Sequence, residues 1–182
     1  MALKPTLIDS LRSLKSLLAT SGEEEPVKVN QKSLIDKMLS RYSSDYFVYR
    51  ELMQNADDAS SNTVSIRFIT SKSKSEIVFE NDGEIFNSDD WERLKSIADG
   101  NPDVRKIGAF GVGFYSVFSI CHEPTVVSGA QCMSFKFKGD QLFIRTKVRK
   151  GKQNRLTAFY MGVDSDNIPE LDAFSRFLAT SM

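Results

Sequence analysis

KIGAFGVGFYS, residues 106–116, is the most informative stretch of this 182-residue sequence. Gly108, Gly111 and Gly113 let the backbone approach a ligand closely, and the apolar run after them favours the start of a buried helix. Backbone N–H groups at such a loop–helix junction bind phosphates. No Gly-Lys-Ser/Thr follows, and the glycine spacing differs from the dinucleotide-binding fingerprint, which excludes both of those phosphate loops. By itself, the loop leaves open both a nucleotide site and a purely structural role.

A polar stripe precedes this loop, on a helix that the sequence predicts over 45–60 with Asp45 as its N-cap. Glu51, Asn55 and Asp58 stand at i, i+4 and i+7, within about 60° of one another around the helix axis. A carboxylate, an amide and a second carboxylate in this arrangement can hold Mg²⁺ and position a general base. A solvated helix edge is the alternative that the stripe alone leaves open.

A third candidate site is Asn81-Asp82-Gly83, at the end of a strand predicted over 75–81. A buried carboxylate at this place can accept a hydrogen bond from an exocyclic amine such as that of adenine. An ordinary Asn-Asp-Gly turn is the alternative.

These motifs, in this order, resemble the ATP-binding domain of the GHKL superfamily, which includes heat-shock chaperone ATPases, gyrase B, MutL and histidine kinases. The resemblance rests on ELMQNADDA (51–59), the Asn-Asp-Gly turn, IGAFGVGFYSVFSI (107–120) and LTAF (156–159). FGVGFYS is especially similar to the chaperone branch, and residues 30–59 resemble sacsin and the fungal sacsin-like proteins. The resemblance covers residues 31–161.

The resemblance implies an α+β fold, the Bergerat fold, which is a two-layer α/β sandwich with helices on one face of a mixed β-sheet. It implies that Glu51 is the general base that activates the attacking water. It also implies that Asn55 coordinates Mg²⁺ bridging the phosphates, and that Asp58 contacts the nucleotide from the same helix face.

The remaining implied contacts are with the base and the phosphates. Asp82 would accept the adenine amine, Gly83 would let the backbone approach the base, and Thr157 would support the adenine. Residues 87–107 would form a mobile lid. The phosphates would be held by loop residues that we assign to the nucleotide site: Lys106, Gly108, Phe110, Gly111, Val112, Gly113 and Phe114.

The turn departs from the family pattern Asp-x-Gly-x-Gly. Aligning Gly83 places Asn81 at the acidic position and Ile85 at the second glycine. We favour Asp82 as the adenine contact because only a carboxylate is an unambiguous acceptor, whereas Asn81 would accept through its amide oxygen. The alignment leaves both residues open.

The sequence identifies no catalytic cation of the kind that such ATPases receive from a following domain. Lys95, Arg105 and Lys106 lie in or beside the lid and are candidates, with a solvated surface role as the alternative for each.

The composition narrows the class of protein. Lys+Arg and Asp+Glu are balanced at 24 each, which gives no support to nucleic-acid binding. The sequence contains no run of about 20 apolar residues, so it predicts no membrane-spanning helix. Cys121 and Cys132 make no disulfide framework, so we expect a reducing compartment, the cytoplasm or nucleus.

We divide the chain into a helix and linker over 1–30 and an ATP-binding domain over 31–182, which we expect to be the N-terminal part of a larger protein. The leucines of the helix over 6–20 are expected to pack on their own domain, with a dimer or partner contact as the alternative. The other predicted elements are helices over 31–41, 88–99 (capped by Ser88), 114–120 and 166–180, strands over 63–69, 125–128, 133–138, 141–148 and 155–161, and hairpin turns at 138–140 and 150–152. The last four strands would form a meander.

The expected function is ATP binding with Mg²⁺ and slow hydrolysis, as the nucleotide-binding domain of a chaperone-type protein with protein clients. Two alternatives stay open: a nucleotide-gated interaction module without useful hydrolysis, and a degenerate scaffold that binds no nucleotide.

Overall fold

The computed structural model describes residues 7–24, 28–42, 46–71, 74–96, 113–151 and 154–181. Its centre is a six-stranded sheet in the order β1-β2-β6-β3-β4-β5. The strands are β1 Val64–Thr70, β2 Ser75–Asn81, β3 Thr125–Gly129, β4 Gln131–Lys138, β5 Gln141–Val148 and β6 Asn154–Val163. The α+β class is confirmed. The prediction of a mixed sheet is wrong for the described residues, because each pair of neighbouring strands is antiparallel.

The predicted meander is only partly correct. Strands β3, β4 and β5 follow one another, and Gly139, with φ +59°, sits in the tight turn between β4 and β5. Strand β6 instead lies between β2 and β3, so the segment at Gly151 does not join neighbouring strands as a hairpin. The physical reason is burial: β6 is apolar on both faces and takes the centre, whereas the more polar β5 forms an exposed edge.

The helices are α1 Leu7–Ser21, α2 Gln31–Leu39, α3 Phe47–Asp58, α4 Ser88–Arg93 and α5 Leu171–Ser181, with 3₁₀ helices at Phe114–Ser119 and Ser165–Asn167. Asp45, the expected cap of α3, lies outside the described residues. The expected Ser88 cap of α4 is wrong by one residue. Asn87 is the cap: its Oδ1 accepts from the N–H groups of Asp89 and Asp90 at 2.8 and 3.1 Å, and the Asp90 carboxylate accepts from the Asn87 N–H.

The helix predicted after Gly113 is a 3₁₀ helix over Phe114–Ser119 rather than an α-helix. Ser116 Oγ donates to the Gly113 carbonyl at 2.6 Å, and Ser119 Oγ donates to the Ser116 carbonyl at 2.8 Å. Each hydroxyl thus donates to the carbonyl three residues earlier, which favours the tighter winding of a 3₁₀ helix.

The core lies between one face of the sheet and α2, α3, α5 and the 3₁₀ helix. Alternate strand residues face it, because side chains of a strand point to opposite faces in turn. Those from the central strands are Ile77, Phe79, Val126, Met133, Phe135, Phe159 and Met161. Rings of α3 and α5 pack together at its edge, with the centroids of Tyr49 and Phe174 4.7 Å apart. This packing fixes α3 over the strand ends that carry the candidate site.

Helix α1 does not pack on the rest of the domain, so the favoured expectation for it is wrong. Every side chain described on α1 is exposed, including Leu11 at 50% and Leu14 at 51%. A helical leucine spacing predicts an apolar face but says nothing of what covers that face. No helix in the described ranges has both the length and the apolar character needed to cross a membrane.

Candidate functional site

Helix α3 carries one end of the candidate site. Val48, Leu52 and Ala56 are buried in the core, whereas Glu51 and Asn55 are half-buried at the edge of that face. The predicted polar stripe is therefore present as a boundary between core and solvent, where polar groups keep some access to water while their positions are fixed by packing.

Glu51 and Asn55 converge on Gly113, the last residue of the glycine-rich loop. A Cβ atom added at Gly113 would lie 2.9 Å from Glu51 Oε2 and 3.6 Å from Asn55 Oδ1. These distances join two residues of α3 to a residue more than fifty positions later in the sequence. A side chain at this position would displace the Glu51 carboxylate, which ends a flexible side chain and can move.

The environment of Glu51 makes its carboxylate a stronger base than a free one. Burial raises the pKa of Glu51 above its ordinary value, and the nearby positive charge of Arg50 opposes that rise. A carboxylate with a raised pKa accepts a proton more readily from a reacting group.

The other end of the site lies where β2 ends and β6 begins, beside the C-terminus of α3. Asn81 and Thr157 are directly opposite each other on these strands, and both side chains are buried, at 4% and 1% exposure. Gly83 N–H donates to Asn81 Oδ1 at 3.1 Å. A Cβ atom at Gly83 would lie 2.7 Å from the Ala59 carbonyl oxygen, so the glycine is required by the close approach of α3.

Ser128 belongs to this end of the site, although sequence reasoning did not single it out. Its Oγ lies 2.7 Å from Thr157 Oγ1 and accepts a 3.0 Å hydrogen bond from the Phe86 N–H. The signal that would have found it is strand alternation, because Ser128 follows Val126 by two residues on the core face of a central strand. A polar residue at such a buried position needs partners.

Asp82, the favoured adenine contact, is placed away from this end. It is exposed, and its Oδ1 accepts from Ser61 Oγ, Asn62 N–H and Thr63 N–H at 2.7–2.8 Å. These hydrogen bonds, led by the one from the Thr63 backbone, lower the pKa of Asp82. Of the two residues that the sequence left open, Asn81 is the one buried opposite Thr157.

Asp58 is half-buried at the end of α3 and accepts a 3.2 Å hydrogen bond from Gln54 Nε2. In the part of the chain that the structure describes, no hydrogen bond joins Asp58 to the other predicted site residues. Phe114 is a core residue: its ring centroid lies 4.7 Å from that of Phe135, which leaves only its backbone for a phosphate.

Part of the predicted loop and lid lies outside the described residues. This applies to residues 97–112, which include Arg105, Lys106, Gly108, Phe110, Gly111 and Val112. The described part of the lid contains α4, whose end is held by a 3.0 Å hydrogen bond from the Tyr115 hydroxyl to the Leu94 carbonyl. Lys95 forms an ion pair with Glu92.

The amide oxygen of Asn55, near Gly113, fits Mg²⁺ as one ligand of a partial coordination shell, because side-chain oxygens are the ligands that Mg²⁺ prefers. Within the described ranges, no group of three or more His, Cys, Asp and Glu side chains forms a complete protein cage. A Mg²⁺ ion here would take its other ligands from phosphate and water.

Comparison with known proteins gives one family and one curated relative. The family model described as "Sacsin domain" matches residues 28–165, from just before α2 to just after β6. Human sacsin is 29% identical over 125 residues, an alignment that covers 60% of this chain and 3% of that protein. The chain therefore corresponds to a small part of this relative.

Proposed function

Because this chain belongs to the sacsin domain family, we propose that the site beneath α3 binds ATP with Mg²⁺ and hydrolyses it slowly. The fold proposed with it is the Bergerat fold of the GHKL superfamily. The observation that carries the proposal is the convergence of Glu51 and Asn55 on Gly113, with 2.9 Å between Glu51 Oε2 and a Cβ built on that glycine.

The two ends of the site suit the two ends of a nucleoside triphosphate. Glu51 and Ala59 are eight residues apart on α3, about 12 Å along the axis at 1.5 Å per residue. Polar side chains with catalytic potential lie at the first end, and a buried hydroxyl and amide lie at the second, beside Gly83. The base would therefore lie near Asn81 and Thr157, with the phosphates toward Gly113.

In the proposed reaction, Glu51 accepts a proton from the water that attacks the γ-phosphorus in line with the leaving ADP oxygen. The raised pKa of Glu51 suits this role. Asn55 would hold Mg²⁺, which offsets phosphate charge when bound. Backbone N–H groups around Gly113 would orient the phosphates, so that positioning and electrostatics supply most of the catalysis.

Isothermal titration with ATP and ADP, each with and without Mg²⁺, tests binding, and phosphate release tests turnover. Glu51→Gln is expected to keep affinity within about threefold while it abolishes phosphate release. Asn55→Ala is expected to lose the Mg²⁺ dependence of binding. Asp57→Asn, on the exposed side of α3, is the matched control. Unchanged phosphate release in Glu51→Gln removes the base assignment, and no binding at millimolar nucleotide removes the function.

The exposed leucine face of α1 favours a second function, nucleotide-gated protein interaction without useful turnover. Leu11, Leu14 and Leu18 lie on this face, with exposures of 50–60%. Bound nucleotide would then shift a population between states that differ in how this face pairs with a second copy or a client. Sedimentation of the chain with and without a non-hydrolysable ATP analogue tests this reading, and an identical mass at all concentrations contradicts it. For either function we propose a cytoplasmic or nuclear location.

A further inference from the structure

The orientation of the Asn81 amide is determined by its neighbour. A backbone N–H can only donate, so the atom that faces Gly83 N–H at 3.1 Å is the oxygen, Oδ1. The amide nitrogen, Nδ2, therefore points away from Gly83. Among the described residues Nδ2 makes no hydrogen bond and keeps some accessible surface, in a residue that is only 4% exposed overall. Asn81 thus presents an unused N–H₂ donor next to Thr157.

The hydroxyl of Thr157 can act in either direction. Ser128 Oγ accepts from the Phe86 N–H at 3.0 Å and shares a hydrogen bond with Thr157 Oγ1, 2.7 Å away, in which either hydroxyl can be the donor. If Ser128 donates, the Thr157 proton is free to go to a ligand. If Thr157 donates to Ser128, its lone pairs are free to accept.

We propose that Asn81 makes this site accept 6-oxopurine nucleotides about as well as 6-aminopurine nucleotides. This inference rests on the proposed nucleotide site. A carboxylate at this position can only accept hydrogen bonds, so it favours an exocyclic amine and opposes a carbonyl. Asn81 offers Nδ2–H to an oxygen at C6, and the second lone pair of Oδ1 to an amine there.

The hydrogen-bonding role of N1, the ring atom next to C6, also reverses between the two classes of purine. N1 of adenine accepts a hydrogen bond, whereas N1 of hypoxanthine or guanine carries a proton and donates one. Because either hydroxyl of the Thr157–Ser128 pair can be the donor, Thr157 can donate to an unprotonated N1 or accept from a protonated one. The Asn81 amide and the Thr157 hydroxyl can therefore each bind either class of purine. A carboxylate in place of Asn81 could not.

The test compares ATP with ITP by isothermal titration on the full 182-residue chain. ITP differs from ATP at C6 and N1 only, so it isolates this edge of the base. Wild type is expected to bind the two nucleotides with dissociation constants within about threefold of each other. Asn81→Asp, which keeps the acceptor for Gly83 N–H, is expected to weaken ITP at least about tenfold relative to ATP. Asp82→Asn, at the exposed neighbouring position, is the control and should leave the ratio unchanged.

The outcomes separate the two proposals. Wild type that binds ATP but binds ITP more than about tenfold more weakly overturns the base inference and leaves the proposed function standing. Wild type that binds neither nucleotide removes the proposed function, and the inference with it. An equal loss of both nucleotides in a folded Asn81→Asp variant also contradicts the inference. The wild-type ratio decides the matter even if that variant does not fold, as monitored by circular dichroism.

Discussion

Replacing Gly113 with alanine would separate the proposed catalytic role of Glu51 from the stability of the fold. Gly113 has φ −52° and ψ −53°, a conformation that alanine adopts freely. The new Cβ atom would lie 2.9 Å from Glu51 Oε2, whereas ordinary contact begins at 3.4 Å. The carboxylate oxygen must therefore move by about 0.5 Å, the difference of those two distances. Because it ends a flexible side chain, it can move without unfolding the domain.

The expected effect falls on turnover. A 1 Å misplacement of a reacting group can cost about 100-fold in rate, so a shift of half that size is expected to lower kcat about tenfold. KM should stay the same, because Glu51 acts on the water and not on binding of the nucleotide. The free energy of unfolding should change by less than about 1 kcal/mol, since the lower chain entropy of alanine offsets the strain in the Glu51 side chain.

Steady-state phosphate release and urea unfolding measure both quantities. Gly162→Ala is the matched control, because a Cβ there meets no atom within 4 Å and should leave kcat unaltered. A wild-type kcat in Gly113→Ala, or an equal loss in Gly162→Ala, would refute the reasoning.

Three further predictions concern stability. Burial raises the pKa of Glu51 above its ordinary 4.5, so the folded state loses stability as pH rises through the window above 4.5. Glu51→Gln should then stabilise the protein in urea near pH 7 and give no gain near pH 4, and an equal gain at both would contradict this. Ser128→Ala removes the acceptor for the Phe86 N–H and the partner of Thr157. It should cost about 1–3 kcal/mol in urea unfolding, whereas Ser16→Ala on exposed α1 should cost almost nothing. Deletion of residues 1–24 should change the free energy of unfolding by less than about 1 kcal/mol, because the described α1 side chains are exposed. A loss well beyond that would show that α1 packs on the domain.

Local patterns predicted the elements well but not their order in the sheet. Strand β1 and the hairpin turn at Gly139 follow from alternation and from a glycine at a tight turn, both of which are short-range signals. The insertion of β6 between β2 and β3 is long-range, because it depends on which strand can be buried on both faces. The same limit applies to α1, whose spacing predicts a helix without identifying its partner.

Strand phase, more than acceptor strength, distinguishes Asn81 from Asp82. Asp82 is the better isolated acceptor, but it lies out of phase with Ile77 and Phe79, whose side chains face the core. Asn81 is in phase with them, since successive residues of a strand alternate between faces. Strand phase therefore predicts the buried residue from sequence alone. The convergence of Glu51 on Gly113 needed the structure, because nothing local relates an α3 residue to the loop.

The turn of the proposed site departs from the GHKL pattern that the sequence resembles, which bears on how base selectivity would arise there. Ile85 stands where that pattern has its second glycine, and it faces Gly129, where a Cβ would lie 2.9 Å from Ile85 Cγ2. Gly129 has φ +58°, a conformation that suits glycine. The glycine on the facing segment thus makes room for Ile85.

The turn is held on both sides of Ile85 as well. Glu84 N–H donates to the Ala59 carbonyl at 2.8 Å, and Phe86 N–H donates to Ser128 Oγ at 3.0 Å. A backbone held by hydrogen bonds at Glu84 and Phe86, on either side of Ile85, has little freedom to adjust to different ligands. In the proposed site, discrimination among purines would therefore come from the side chains that face the base, and a single change at Asn81 is expected to alter it without loosening the turn.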